Sequence, residues 1–114
     1  MAALTATTPT NAGTTTSGAA VAASDTVSTG VMGRRGAYLE VINGNASADS
    51  ITISDSGSTP AGNALSGGTI SASVAGSASK IFWLLPEQAA PSTGLITITH
   101  SVTATVTYKL YPVD

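Results

Sequence analysis

The chain has 114 residues, only 9% of them charged, with a formal net charge of −2. That length suits one domain with room for an arm, and so weak a charge offers no field for nucleic acid or anionic lipid. Cysteine is absent, so there is neither a disulfide framework nor a thiolate metal site.

Residues 1–24 are small and polar, with Leu4 and Val21 as the sizeable aliphatics beside Met1. Fixing this backbone costs on the order of 25–50 kcal/mol at roughly 1–2 kcal/mol per residue. Burial at about 25 cal/mol per Å² cannot offset that from so few apolar side chains. Alone, the segment is expected to be disordered, and to gain order only against a neighbouring molecule. Extended at about 3.3 Å per residue it reaches roughly 80 Å, past its own domain. The plainer alternative is a free tail. The first residues have neither the basic start nor the apolar run of a signal peptide, and no window approaches about 18 apolar residues, so neither export nor membrane insertion is expected.

"GRRG" (33–36) follows, placing Arg34 and Arg35 between glycines. It reads as a solvated turn, or as an arginine fork for an acidic patch on a protein partner. Two arginines without an adjacent aromatic are too few for nucleic acid.

From Ala37 the pattern has a period of two. "YLEVIN" (38–43), "SITIS" (50–54), "TISASV" (69–74), "KIFWLL" (80–85), "LITITHSV" (95–102) and "TVTYKLY" (105–111) are predicted strands, with a shorter seventh around 25–31. Leu39 and Val41 oppose Tyr38, Glu40 and Ile42. Turn-forming clusters, including "NGNASAD", "DSGSTPAGNALSGG" and "PEQAAPSTG", separate the strands. The expected fold is all-β: an antiparallel β-sandwich, Ig-like or jelly-roll-like, of six to seven short strands over 25–114, preceded by an extended arm over 1–24. A small barrel is the alternative. "IFWLL" is apolar on both faces, so both should be covered. Trp83 within it belongs either to a central strand under the domain's own loops or to a subunit interface.

Candidate chemistry is sparse. The single histidine, His100, is in phase with Ile96 and Ile98 on the face expected to be buried, which fits a core or interface histidine with one hydrogen-bond partner better than a base. The acids Asp25, Glu40, Asp49, Asp55, Glu87 and Asp114 are scattered, without a metal-ligand spacing, and no phosphate-binding loop or dinucleotide fingerprint occurs. "NAS" (45–47) matches a glycosylation acceptor but reads most simply as a loop. No enzyme, cofactor, metal or small-molecule substrate is expected.

Taken together, "TPTNAG", the Ala/Ser/Thr-rich stretch ending in Asp25, "YLEVINGNAS", "ITISDSG", "TISASVAGSASKIFWLLPE" and "GLITITHSVTATVTYKLY" cover most of the chain. In this layout the protein resembles the small β-sandwich head decoration, or capsid-stabilising, proteins of tailed bacteriophages. "GRRG" and the Trp-containing "IFWLLPE" depart from the pattern expected there. The resemblance implies a non-enzymatic virion protein on the outer capsid surface, made in the bacterial cytoplasm. Its partners would be the major capsid protein and sister copies, commonly in a homotrimer. Residues 1–24 become a capsid-bound or exchanged arm, with Pro9 and Gly13 shaping its path. The expected partner contacts are Leu4, Pro9, Gly13, Val21, Arg34, Arg35 and Trp83. Removing 1–24 is expected to leave the body folded and to abolish attachment. The alternatives are a tail-tube or neck component, or a carbohydrate-binding sandwich using Tyr38, Tyr108 or Tyr111.

Overall fold

Nine strands are present in a computed structural model that describes residues 2–16, 18–55, 68–90 and 93–113. They are β1 (Ala2–Ala3), β2 (Ala19–Ala20), β3 (Ser24–Ser28), β4 (Ala37–Asn43), β5 (Asp49–Asp55), β6 (Gly68–Val74), β7 (Ala78–Leu84), β8 (Leu95–His100) and β9 (Val106–Pro112). Single 3₁₀ turns occupy Thr29–Val31 and Pro86–Gln88. The middle of the turn expected at "DSGSTPAGNALSGG", together with Met1 and Asp114, lies outside the described residues.

The strands form two sheets, β1-β3-β8-β5-β6 and β2-β9-β4-β7, and every pairing except β1–β3 is antiparallel. The period of two explains the layering. Ile51, Ile53, Ile96, Ile98, Val27 and Val74 of one sheet and Leu39, Val41, Val106 and Leu110 of the other are all buried, while most of their sequence neighbours are not. The fold is thus the expected β-sandwich, and the possible seventh strand near residue 25 exists as β3.

The leading segment does not behave as expected. Residues 2–16 and 18–24 are part of the same body. Ala2 and Ala3 pair with Asp25 and Thr26 of β3, and the Leu4 amide donates to the Thr26 carbonyl at 2.9 Å. The chain then crosses to the other sheet, where the Thr5 amide donates to the Tyr108 hydroxyl and the Thr7 amide to the Leu110 carbonyl. It returns as β2 along β9, and Val21 donates to Val106. This strap closes the side of the sandwich where β3 and β9 lie. Leu4 and Val21, expected on a partner, sit in the protein's own core. The physical reason is that backbone hydrogen bonds to two sheet edges do the ordering, so little side-chain grease is needed. Alanine and threonine allow the strap to approach both edges closely. Residues 8–15 form the longest continuously exposed stretch of the described strap, and that loop includes Pro9 and Gly13.

β7 also departs from expectation. It is an edge strand rather than a central one, and its outward face is uncovered: Ile81 is 65% and Trp83 51% exposed. Phe82 and Leu84 face inward, Leu84 fully buried and Phe82 packed against the core.

Candidate protein-binding face

The outer side of the four-stranded sheet is assembled by register. Tyr38 of β4 lies opposite Tyr111 of β9 and opposite Trp83 of β7. Three of the chain's five aromatic residues therefore form one row across three strands. The Tyr38 and Trp83 rings are 6.2 Å apart and tilted by 54°, an edge-biased arrangement favoured by the ring quadrupoles. Ile81 extends the apolar surface one row further along β7, opposite Glu40, which in turn faces Lys109. Leu85 follows at the end of the strand, also exposed.

The arginine pair borders this row. Gly33 and Gly36 bridge each other, Gly33 N to Gly36 O at 2.9 Å and Gly36 N to Gly33 O at 3.1 Å, leaving Arg34 and Arg35 at the tip of a tight turn. Both glycines are required. A Cβ on Gly33 would lie 2.1 Å from the Val113 carbonyl oxygen, and one on Gly36, whose φ is +103°, 1.8 Å from that of Leu84. The end of the chain braces the turn from one side, with Arg35 N donating to Val113 O and Val113 N to Gly36 O, both at 2.9 Å. Trp83 braces it from the other through Nε1, which donates to the Arg35 carbonyl at 2.8 Å. Both arginine side chains are exposed, and among the described residues neither forms an ion pair. Aromatic rings beside arginines are the composition that dominates binding energy at protein interfaces.

The expected contact residues therefore divide. Arg34, Arg35 and Trp83 converge on one face. Leu4 and Val21 are in the core, and Pro9 and Gly13 lie on the exposed strap loop, where Gly13 (φ +92°) donates to the Thr10 carbonyl and accepts from the Thr10 hydroxyl. Tyr38 and Ile81 were missed as contacts. The signal for Ile81 was the alternation of Ile81, Trp83 and Leu85 within "IFWLL"; Tyr38 joins them only through strand pairing. Tyr108, a candidate for a sugar platform, is buried, its hydroxyl taking the Thr5 amide.

His100 has a different setting. Its Nδ1 lies 2.7 Å from Asp49 Oδ2, and its Nε2 3.9 Å from Asp25 Oδ2, all three side chains being buried. Asp49 Oδ1 accepts the amides of Ser101 and Val102, and Asp25 accepts the amide of Ala22. The three groups thus tie the strap, the start of β5 and the end of β8 together. Each ring nitrogen is directed at a carboxylate, and among the described residues no serine hydroxyl is hydrogen-bonded to the ring. Among the described residues no group of three or more His, Asp or Glu side chains is arranged to hold a metal ion. A shallow groove of about 290 Å³ between the strap and β9 is lined by the hydroxyl-bearing Thr5, Thr7, Thr15 and Thr16. No protein-family model, curated protein or solved structure matches the chain.

Proposed function

We propose that this protein is a non-enzymatic structural subunit that works by docking on other proteins, as a head decoration protein on the outer capsid surface of a tailed bacteriophage. The observation that carries the docking role is the rigid, exposed face formed by Tyr38, Ile81, Trp83 and the Arg34–Arg35 turn. The phage assignment rests on the resemblance across most of the chain. The buried Asp25–His100–Asp49 cluster supports a structural protein: its polar atoms are engaged with one another and with backbone amides. On a repeating shell, many modest contacts add up to firm attachment.

The test is direct. Purified protein is added to heads that lack it, and bound copies are counted after sedimentation, together with the temperature at which the heads rupture. Saturable binding with a raised rupture temperature is expected. Heads that neither bind the protein nor gain heat resistance overturn the shell assignment.

A second reading is favoured by the aromatic row itself, since exposed tryptophan and tyrosine can stack on sugar rings. The 54° tilt between Tyr38 and Trp83 and the flanking Ile81 make a poorer flat platform than a protein contact. Quenching of Trp83 fluorescence by a soluble glycan in a screen would favour the sugar.

A further inference from the structure

Three sheet-crossing connections meet at the end of the sandwich where β4 finishes: β4–β5 (44–48), β6–β7 (75–77) and β8–β9 (101–105). Asn43, the last residue of β4 and only 1% exposed, ties the first two together. Its Nδ2 donates to the Ser47 carbonyl at 2.8 Å and the Val74 carbonyl at 3.1 Å, with the Ala75 carbonyl at 3.4 Å beside them. Its Oδ1 accepts the Asn45 amide at 2.9 Å. Carbonyls on one side and an N–H on the other fix which way the side-chain amide points. The third connection is held by the next residues: Gly44 N donates to the Thr105 carbonyl at 2.9 Å, and Asn45 Nδ2 to the Ala104 carbonyl at 3.2 Å.

Asn43–Gly44 is also the only Asn-Gly pair in the chain. Glycine lacks the Cβ that would shield its amide nitrogen, and its backbone turns back freely. In an open chain the Gly44 nitrogen can therefore bond to Asn43 Cγ. The Cγ–Nδ2 bond breaks, and Nδ2 leaves as ammonia with the proton from Gly44. Water then opens the cyclic imide at either carbonyl, giving aspartate or isoaspartate. In the folded protein both reacting groups are engaged. The nucleophile is bonded to Thr105, and the leaving amide is bonded to the carbonyls of two connections. A Cβ on Gly44 would lie 2.9 Å from the Thr105 oxygen, so the turn is packed down on the β8–β9 loop.

We infer that Asn43 is a self-modification site gated by opening of this end of the sandwich. Closed, it is inert. Opened, it deamidates, and the product resists reclosure. A carboxylate there has no N–H to offer, and it sets a buried negative charge against the carbonyl oxygens of Ser47, Val74 and Ala75. Isoaspartate also lengthens the main chain between β4 and its turn. The chain thereby keeps a permanent record of having opened. The inference depends neither on the aromatic face nor on the phage assignment.

The parent protein is held in mildly alkaline buffer across a guanidinium series, and each asparagine is followed by peptide mass mapping that separates aspartate from isoaspartate. In the unfolded chain Asn43 should convert faster than the other asparagines, all of which precede serine or alanine or lie apart from any glycine on their C-terminal side. Without denaturant its conversion should be about a hundredfold slower or more, because reaction waits on rare opening. With rising denaturant its rate should follow the unfolded fraction, while Asn11, on the exposed 8–15 loop, changes little. Protein converted at Asn43, separated and returned to buffer, should unfold at a lower guanidinium midpoint or fail to refold, and Asn43→Asp should do the same. Conversion of the folded protein at the unfolded chain's rate overturns the gate. Converted protein and Asn43→Asp that both regain the parent's midpoint overturn the resistance to reclosure.

Discussion

The indole Nε1 of Trp83 donates to the main-chain carbonyl of Arg35 at 2.8 Å, joining residues 48 apart in sequence. The bond fixes an exposed ring and an arginine turn in one orientation before any partner arrives. Less conformational freedom is then lost on binding, so the contact is preorganised.

Trp83→Phe removes that bond and keeps most of the apolar surface. Because the ring is half exposed, the fold should change by less than about 1 kcal/mol, while binding to heads weakens. Urea unfolding beside a sedimentation binding assay separates the two effects. An equal loss in both would make Trp83 a stability residue.

Arg34→Glu with Arg35→Glu should lower attachment to heads without changing the unfolding midpoint, since both side chains are exposed. Unchanged attachment would return the pair to solvent.

Gly36→Ala and Gly13→Ala compare two glycines at positive φ. At Gly36 the new methyl meets the Leu84 carbonyl, whereas at Gly13 nothing lies within 4 Å. Backbone strain alone costs about 1–2 kcal/mol at Gly13. Gly36→Ala should cost clearly more, read as a larger drop in the urea midpoint, and should disturb Trp83 emission.

His100→Ala leaves the Asp25 and Asp49 carboxylates buried without the imidazole between them. Removing one member of such a group is expected to cost about 3–5 kcal/mol. Thermal unfolding monitored by circular dichroism checks this, and a melting temperature within a degree or two of the parent's would refute it.

Leu4→Ala should cost about 2–4 kcal/mol, as for any well-packed core leucine. Deleting residues 1–24 should go further and destabilise the body, because it removes two core side chains and uncovers β3 and β9. A truncated protein with the parent's urea midpoint would restore the picture of a separable arm.

The strands were legible because their side chains alternate: Ile51 and Ile53, Ile96 and Ile98, and Val106, Tyr108 and Leu110 are buried as the period of two requires. The buried His100 was legible for the same reason. Its partner Asp49 was not, being 51 residues away and brought near only by the β5–β8 pairing. The strap escaped notice because its order comes from main-chain bonds, which alanine and threonine make without leaving a side-chain pattern. The edge position of β7 was hidden for a related reason. "IFWLL" reads as doubly buried, and only the strand order shows that Ile81 and Trp83 face outward. Arg34 and Arg35 were visible as a pair, but their meeting with Trp83 depends on contacts far apart in the chain.

Only the β5–β6 connection stays within one sheet; every other link between successive strands passes from one sheet to the other. The two layers are stitched together by the chain itself. A protease cut in the exposed loop at 8–15 would therefore leave two fragments still interlocked, sharing one folded body until a denaturant parts them.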